Sequence, residues 1–348
     1  MPLRIVFLGA GRLAEPVFSA LLDSPHIVCG LVTQPDRTGP GQRPHANPLK
    51  DRAGKRGLPV LQPERIKTAD AIAAVTALAA DVHVVAAYGQ LLPRTLLDAP
   101  RLGTINVHAS LLPRYRGASP IHAAILHGDA ETGITIIRLV PELDAGPILA
   151  SVRTPILPRE TTGELEARLA QLAVPITLEV LAQLEAGTAE PVEQDHRLAT
   201  YAGKLSKADG RIDWRQPAVV VERHIRAMQP WPGPFTYLPQ AGKMPLRMQI
   251  LAATVCAGRA DCPPGQIIAV DDEAFAVQCG EDALRVERIH PDGKRGMTAG
   301  EFLRGRRVSV GDVLTAEPPP ATTDSAAKDT ATGSGAIVGT DRAPPQAS

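Results

Sequence analysis

M-P-L-R-I-V-F-L-G-A-G-R-L-A-E-P-V-F-S-A-L-L, residues 1–22, decides the architecture of the first half of the chain. Ile5–Leu8 is an apolar run too short for a helix, and it stops at glycine, as a buried strand does. Leu13–Leu22 then brings apolar residues back at helical spacing, which predicts a helix with one buried face. The same alternation continues outward. Ile27–Val32 is a second strand candidate, and Asn47-Pro48 supplies a cap and a first-turn proline for a helix to about Arg56. Pro59–Leu61, a helix over Ala69–Ala79 and the strand Val82–Ala87 repeat the theme. Leu102–Val107 follows as a strand, Ser119–Leu126 as a helix and Thr132–Leu139 as a β-branched strand. Strands alternating with helices predict an α/β fold with a doubly wound, mostly parallel, Rossmann-like sheet. Glu164–Leu184 closes this half as a long helix, expected to be interrupted at Pro175.

Beyond it the pattern changes. Gly187–Gln194 is rich in small and polar residues, as a linker is, and Ala218–Met228 is helical in spacing. Leu246–Cys256, Gly265–Val270, Ala274–Cys279 and Ala283–Ile289 are short strand candidates separated by Pro, Gly and acidic turns, with a closing helix at Thr298–Leu303. They predict a small antiparallel β-barrel, an oligonucleotide-binding barrel being one option. After Val313 the composition turns to Pro, Ala, Thr, Ser and Gly without periodicity, which predicts a disordered tail. A chain of 348 residues is too long for one typical core. The expected division is a catalytic domain at 1–186, a linker at 187–203, a barrel domain at 204–315 and a tail at 316–348.

Composition narrows the function classes. The formal net charge of zero hides a local imbalance, with 17 basic against 13 acidic residues between Arg197 and Thr315. A basic second domain suits a polyanionic partner. The N-terminal apolar stretch is too short for a signal peptide, and no run of eighteen apolar residues occurs, so a cytoplasmic protein without a membrane span is expected. Cys29, Cys256, Cys262 and Cys279 are scattered and form no C-x-x-C pair, which suits free thiols in a reducing compartment.

Several motifs fail on inspection. Gly9-Ala10-Gly11 suggests a dinucleotide loop, but no acidic residue closes the second strand, so a tight strand-to-helix turn is the better account. No H-E-x-x-H or Cys/His cluster argues for a metal, His122 and His127 do not share a helix face, and no G-x-S-x-G argues for a serine hydrolase. The segment N-V-H-A-S-L-L-P-R-Y-R-G at 106–117 is different. Asn106 and His108 lie two apart on an extended stretch and so point the same way. A neutral imidazole can accept a proton, and an amide can donate to a developing oxyanion. Asp144, in L-D-A-G-P just past a strand, is expected to reach His108 from a neighbouring strand end, raising the imidazole pKa and fixing its tautomer.

With V-T-Q-P-D-R at 32–37, the block from Asn106 to Ile121, L-D-A-G-P-I-L at 143–149, K-L-S-K-A-D-G-R-I-D-W at 204–214 and P-W-P-G-P-F at 230–235, the chain closely resembles the methionyl-tRNA formyltransferase family up to about Leu314. The resemblance implies transfer of a formyl group from 10-formyltetrahydrofolate to the methionyl α-amine of initiator methionyl-tRNA, without a metal. It makes Asn106, His108 and Asp144 the catalytic residues. It places Ser110, Leu111, Leu112 and Pro113 in the folate site, with Tyr88, Gln90, Leu91 and Val140 flanking the pterin. Arg37, Arg43, Lys204 and Arg211 are expected to meet the tRNA, and a monomer is expected. The chain departs from the family at G-A-G-R-L, residues 9–13, at Ala145, and in a loop from Asp36 to Lys50 whose only basic residues are Arg37, Arg43 and Lys50, plus His45. Fewer charges there predict a weaker, less salt-sensitive hold on tRNA. The alternative is the same chemistry on an amino-sugar nucleotide, against which the length of Gln34–Lys50 argues. A non-catalytic RNA-binding protein is a weaker rival, opposed by the intact Asn106, His108 and Asp144, and a nicotinamide-dependent oxidoreductase is the weakest, since only Gly9 and Gly11 support it.

Overall fold

The computed structural model describes residues 1–36, 47–240, 243–306 and 308–317. Its first part is built on nine strands: β1 (Arg4–Gly9), β2 (Ile27–Val32), β3 (Val60–Leu61), β4 (Val82–Ala86), β5 (Thr104–His108), β6 (Arg116–Gly117), β7 (Glu131–Arg138), β8 (Ile148–Pro155) and β9 (Tyr201–Ala202). Seven of them form one sheet in the order β3-β2-β1-β4-β5-β7-β8, while β6 and β9 pair with each other. The five strands from β3 to β5 are parallel, and β7 and β8 join antiparallel. The helices are α1 (Gly11–Asp23), α2 (Pro48–Lys55), α3 (Ala69–Thr76), α4 (Arg94–Leu97), α5 (Pro120–His127) and α6 (Thr162–Ala186).

Strand periodicity divides the core in two. Ile5, Phe7, Val84, Ile105, Val107 and Ile136 pack on one face with α1 and α6. Their neighbours Val6, Leu8 and Val85 pack on the other with Val75, Tyr88 and Leu96. Phe18 and Leu21 of α1 and Leu165 and Leu169 of α6 are fully enclosed, each contributing about 1.5–3 kcal/mol of burial. Because Asn106 and His108 alternate with Ile105 and Val107, they fall on the face opposite α1 and α6. Gly9 sits where the turn into α1 is tightest: a Cβ there would come within 3.1 Å of both Ala14 Cβ and the Ala86 carbonyl. That packing explains the glycine without a nucleotide.

Two local expectations change. α6 runs unbroken through Pro175, because that residue is exposed, and the carbonyl its ring leaves without a donor belongs to Gln171, which is exposed as well. By length and composition α6 could cross a membrane, yet its apolar face is packed against α1 and the sheet. The stretch 187–203 is closely attached to the first part: Val192 exchanges backbone hydrogen bonds with Ile148 at 2.7 and 2.8 Å, and β9 runs beside β6.

The second sheet is antiparallel in the order β10-β11-β14-β13-β12, from β10 (Phe235–Gln240), β11 (Lys243–Cys256), β12 (Ile267–Val270), β13 (Phe275–Gln278) and β14 (Ala283–Pro291), with β15 (Met297–Thr298) beside β14. Irregular register where β11 meets β14, at Ile250–Ala253, marks bulges that bend the strand. Single bridges from Val313 to Gln266 and from Thr315 to Tyr237 carry the chain from the β12 side to β10, curling the sheet toward a barrel. Ile212, Trp214, Phe275, Val286 and Ile289 fill it, with α7 (Ala218–Ala227) and α8 (Ala299–Gly305) packed alongside. The end of α7 enters the first core through Ala227 and Met228, and Thr162 Oγ1 donates to the Ala227 carbonyl at 2.7 Å. The irregular composition after Val313 does not end the ordered chain there, since Leu314 is buried and Thr315 bridges to Tyr237; of the expected tail at 316–348, the part from residue 318 onward lies outside the described residues.

Candidate active site

β5 delivers Asn106 and His108 to the sheet face that lacks α1 and α6. His108 is buried, 5% exposed, and its Nε2 lies 2.9 Å from the Tyr115 carbonyl. A carbonyl only accepts, so Nε2 carries the hydrogen and Nδ1 keeps its lone pair in the neutral ring. Nδ1 faces Asp144 Oδ2 at 3.7 Å. The same Oδ2 accepts the Gly117 N–H at 2.8 Å.

Asp144 reaches this place by a route different from the one expected. β7 is antiparallel to β5, with His108 opposite Thr135, so the end of β7 lies away from His108. The loop after Arg138 doubles back before β8, and Asp144 adopts a left-handed backbone, φ 47°, within it. The electrostatic expectation also changes. Burial pushes the His108 imidazole below its ordinary value and Arg116 adds to the depression; the Asp144 charge and the Tyr115 hydrogen bond oppose them without prevailing. The ring is therefore held neutral and able to accept a proton.

Ser110–Pro113 is anchored to β7. Thr135 Oγ1 donates to the Ser110 carbonyl at 2.7 Å and accepts the Leu112 N–H at 3.2 Å. Ser110 Oγ donates to the Arg114 carbonyl at 2.6 Å, Leu112 is buried, and Leu111 and Pro113 are half-buried. Tyr88 is buried with its hydroxyl unpartnered among the described residues, and burial pushes it up to about 12. Leu92 and Leu139 pack against the same cluster as Tyr88, which brings the loop after β4 beside the start of the loop that carries Val140. Gln90 is committed elsewhere, accepting the Ile66 N–H at 2.9 Å and donating to the Pro63 carbonyl at 3.2 Å. Leu91, 61% exposed, and half-exposed Leu143 leave apolar surface on these loops.

Of the residues expected to meet tRNA, two are described, Lys204 and Arg211. Arg37 and Arg43 lie outside the described residues. Lys204 is exposed two residues after β9, and Arg211 is exposed at the entry to the second sheet, where it pairs with Glu317. Two surface clefts, of about 390 Å³ between α1 and α2 and about 490 Å³ beside Gln62–Arg65, include none of Asn106, His108 and Asp144. Among the described residues no group of three or more His, Cys, Asp or Glu could hold a metal ion. Sequence reasoning missed Thr135, a β-branched strand residue by pattern, and Gln194, which lies in a segment that carries no periodic signal. Gln194 is buried and bonds to both Arg116 and the Asp144 loop.

Residues 3–181 match the family described as formyl transferase, and residues 204–307 match the formyl transferase C-terminal domain. A methionyl-tRNA formyltransferase of Pseudomonas fluorescens is 45% identical over 316 residues, spanning 90% of this chain and 98% of that protein. The chain belongs to the methionyl-tRNA formyltransferase family. A member from Magnetococcus marinus is 43% identical over 312 residues, 89% of this chain and 98% of its own length. Among solved structures, HypX from Aquifex aeolicus in complex with tetrahydrofolic acid is similar over 89% of this chain and 51% of its own, with TM-score 0.59 and 19% identity. An N-formyltransferase from Helicobacter canadensis in complex with folinic acid and dTDP-3-aminofucose is similar over 82% of this chain and 99% of its own, with TM-score 0.58 and 15% identity. At such identities the likeness concerns the fold alone.

Proposed function

We propose that this protein transfers the formyl group of 10-formyltetrahydrofolate to the α-amine of methionine on initiator methionyl-tRNA, giving N-formylmethionyl-tRNA for translation initiation. The observation that carries the reading is the buried, neutral His108 with Nδ1 facing Asp144 at 3.7 Å, and Asn106 two residues before it on the same strand face. Full-length relatives bearing that activity in their name, at 42–45% identity, support it.

Formyl transfer forms a C–N bond to the attacking amine and breaks the bond between the formyl carbon and N10 of the folate. The amine must lose a proton, the leaving nitrogen must gain one, and an oxyanion develops between. His108 takes the amine proton at Nδ1, where the Asp144 charge stabilises the imidazolium, and returns it to the leaving nitrogen. Asn106 donates its amide to the oxyanion, an interaction whose loss costs about 10²–10³ in turnover in comparable sites. The donor substrate supplies an activated formyl group, and the proton transfers run on side chains.

Ser110, Leu111, Leu112 and Pro113 form the anchored wall of the folate site in this reading, with Tyr88, Leu91 and Val140 beside the pterin. The exposed apolar side chains of Leu91 and Leu143 next to loop backbone suit a flat heterocycle with polar edges. Because the Gln90 amide is committed, that residue contributes main chain. Arg37, Arg43, Lys204 and Arg211, with the basic second domain, meet the tRNA. The division into a catalytic domain at 1–186, a connecting segment at 187–203 and a tRNA-binding barrel at 204–315 belongs to the same proposal, as do a monomer, a cytoplasmic location and the absence of a membrane partner. The test offers initiator methionyl-tRNA and an amino-sugar nucleotide side by side with 10-formyltetrahydrofolate. Formylation of the tRNA alone is expected; preferential formylation of the sugar nucleotide overturns the reading.

A further inference from the structure

Asp144 holds a left-handed backbone, φ 47°, that a residue other than glycine keeps only when its surroundings fix it. Two hydrogen bonds do so. Gln194 Nε2 donates to the Asp144 carbonyl at 2.8 Å and to the Gly146 carbonyl at 2.7 Å. Gln194 is 5% exposed, so water competes little for either acceptor. Chemistry also decides which end of the amide faces the loop. Arg116 Nε and Nη2 approach Gln194 Oε1 at 3.2 and 2.7 Å, and a guanidinium can only donate. Oε1 must therefore face Arg116, and the NH₂ must face the loop.

Arg116 is itself buried, 4% exposed, and among the described residues no carboxylate lies within ion-pair distance of it. Among the described residues its other side-chain hydrogen bond is to His196 Nδ1 at 2.9 Å. Its backbone is fixed by pairing with Tyr201, and the following Gly117 N–H holds the Asp144 carboxylate. Asp144 is thus gripped at its carbonyl through Gln194 and at its carboxylate through Gly117, and both grips depend on the segment that joins the two sheets.

We propose that Gln194, oriented by Arg116, is the positioning residue that holds the Asp144 carboxylate against His108. The inference rests on the catalytic reading of Asp144 given above. The discriminating variant is Gln194→Glu. It keeps the length of the side chain and leaves Arg116 an acceptor, now ionic, but removes both donors and turns a carboxylate oxygen toward two carbonyls. Gln194→Met removes both halves of the link. Asp144→Asn serves as the reference for the reading on which the inference depends.

With the full chain, initiator methionyl-tRNA and 10-formyltetrahydrofolate, Gln194→Glu lowers kcat by about 10- to 100-fold, the effect of a reacting geometry displaced by an ångström or less. Its KM values for both substrates stay near wild type, and although the loss of two buried donors lowers its Tm, it remains folded at the assay temperature. Gln194→Met shows a similar kcat with a lower Tm, because Arg116 loses its acceptor. A Gln194→Glu enzyme with wild-type kcat, while Asp144→Asn is impaired, overturns the positioning role and leaves the proposed chemistry standing. A fall in activity carried by KM or by loss of folded protein overturns it too. Wild-type turnover in Asp144→Asn removes both.

Discussion

Replacing Asp144 by asparagine removes a charge and little else. The amide oxygen can still accept the Gly117 N–H that meets Oδ2 at 2.8 Å, so the loop keeps its anchor. What disappears is the attraction between the carboxylate and an imidazolium 3.7 Å away. Both groups are buried, His108 at 5% and Asp144 at 9% exposure, so solvent screens the pair weakly. At that separation an effective dielectric of about 20 gives roughly 4 kcal/mol. The attraction acts only once Nδ1 holds a proton, so its loss falls on the proton-transfer step and not on binding of either substrate. Roughly 4 kcal/mol corresponds to about three decades in kcat. Steady-state kinetics with saturating 10-formyltetrahydrofolate, together with a thermal melt, is the assay. The expected result is a kcat reduced by two to three decades with an unchanged KM for methionyl-tRNA and an unaltered Tm. A folded Asp144→Asn enzyme within tenfold of wild-type kcat would refute the electrostatic reasoning.

Other outcomes follow from the same structure. Gly117 has φ 110°, and a Cβ there would stand 2.6 Å from the Ala202 carbonyl, so Gly117→Ala should lower stability by about 1–3 kcal/mol and reduce kcat by displacing the N–H that holds Asp144; a chemical melt and the formyl-transfer assay report both. His83 is buried and its imidazole is pushed down to about 4, below the ordinary 6.5, so the unfolded chain binds this proton first. The stability it contributes is complete above about pH 6.5 and declines as pH falls toward 4, by about 3 kcal/mol. Urea melts of wild type and His83→Leu at pH 7.5 and pH 4 should differ by that amount in pH dependence, and equal slopes would count against it. Lys204→Ala should raise the KM for methionyl-tRNA with little change in kcat, and should lower the salt slope by about one ion, measured between 50 and 200 mM salt.

The fold was legible wherever local pattern and tertiary need coincide. β2 spans the same residues in sequence and structure, and the Asn47 cap is realised at 3.2 Å from the Lys50 N–H. Pro175 misled because the cost of a helical proline depends on which way its ring faces, and sequence alone does not give that direction. β8 and β10 went unrecognised because edge strands mix exposed and buried positions, and because P-I-L-A-S-V-R and F-T-Y-L-P both contain or adjoin proline. Asn106 and His108 could be read from their spacing, since strand alternation settles a shared face. The approach of Asp144 could not, because it depends on β7 being antiparallel and on a loop that doubles back. The sign of the His108 shift is a balance between burial and one charge, and only the depth of the site decides which prevails. Gln194 gave no signal for a related reason: a buried amide inside a polar connector looks like any solvated one until its partners are known.

The central claim is that this cluster moves a formyl group onto the amine of methionyl-tRNA. It is tested most directly with formyl-labelled 10-formyltetrahydrofolate, following acid-precipitable label on initiator methionyl-tRNA for wild type and Asn106→Ala. Wild type should label the tRNA, fail to label a tRNA whose methionyl amine is already blocked, and lose at least about 10² of its rate on Asn106→Ala substitution. Release of the label as free formate with none on the tRNA, or equal labelling by wild type and Asn106→Ala, would contradict the account.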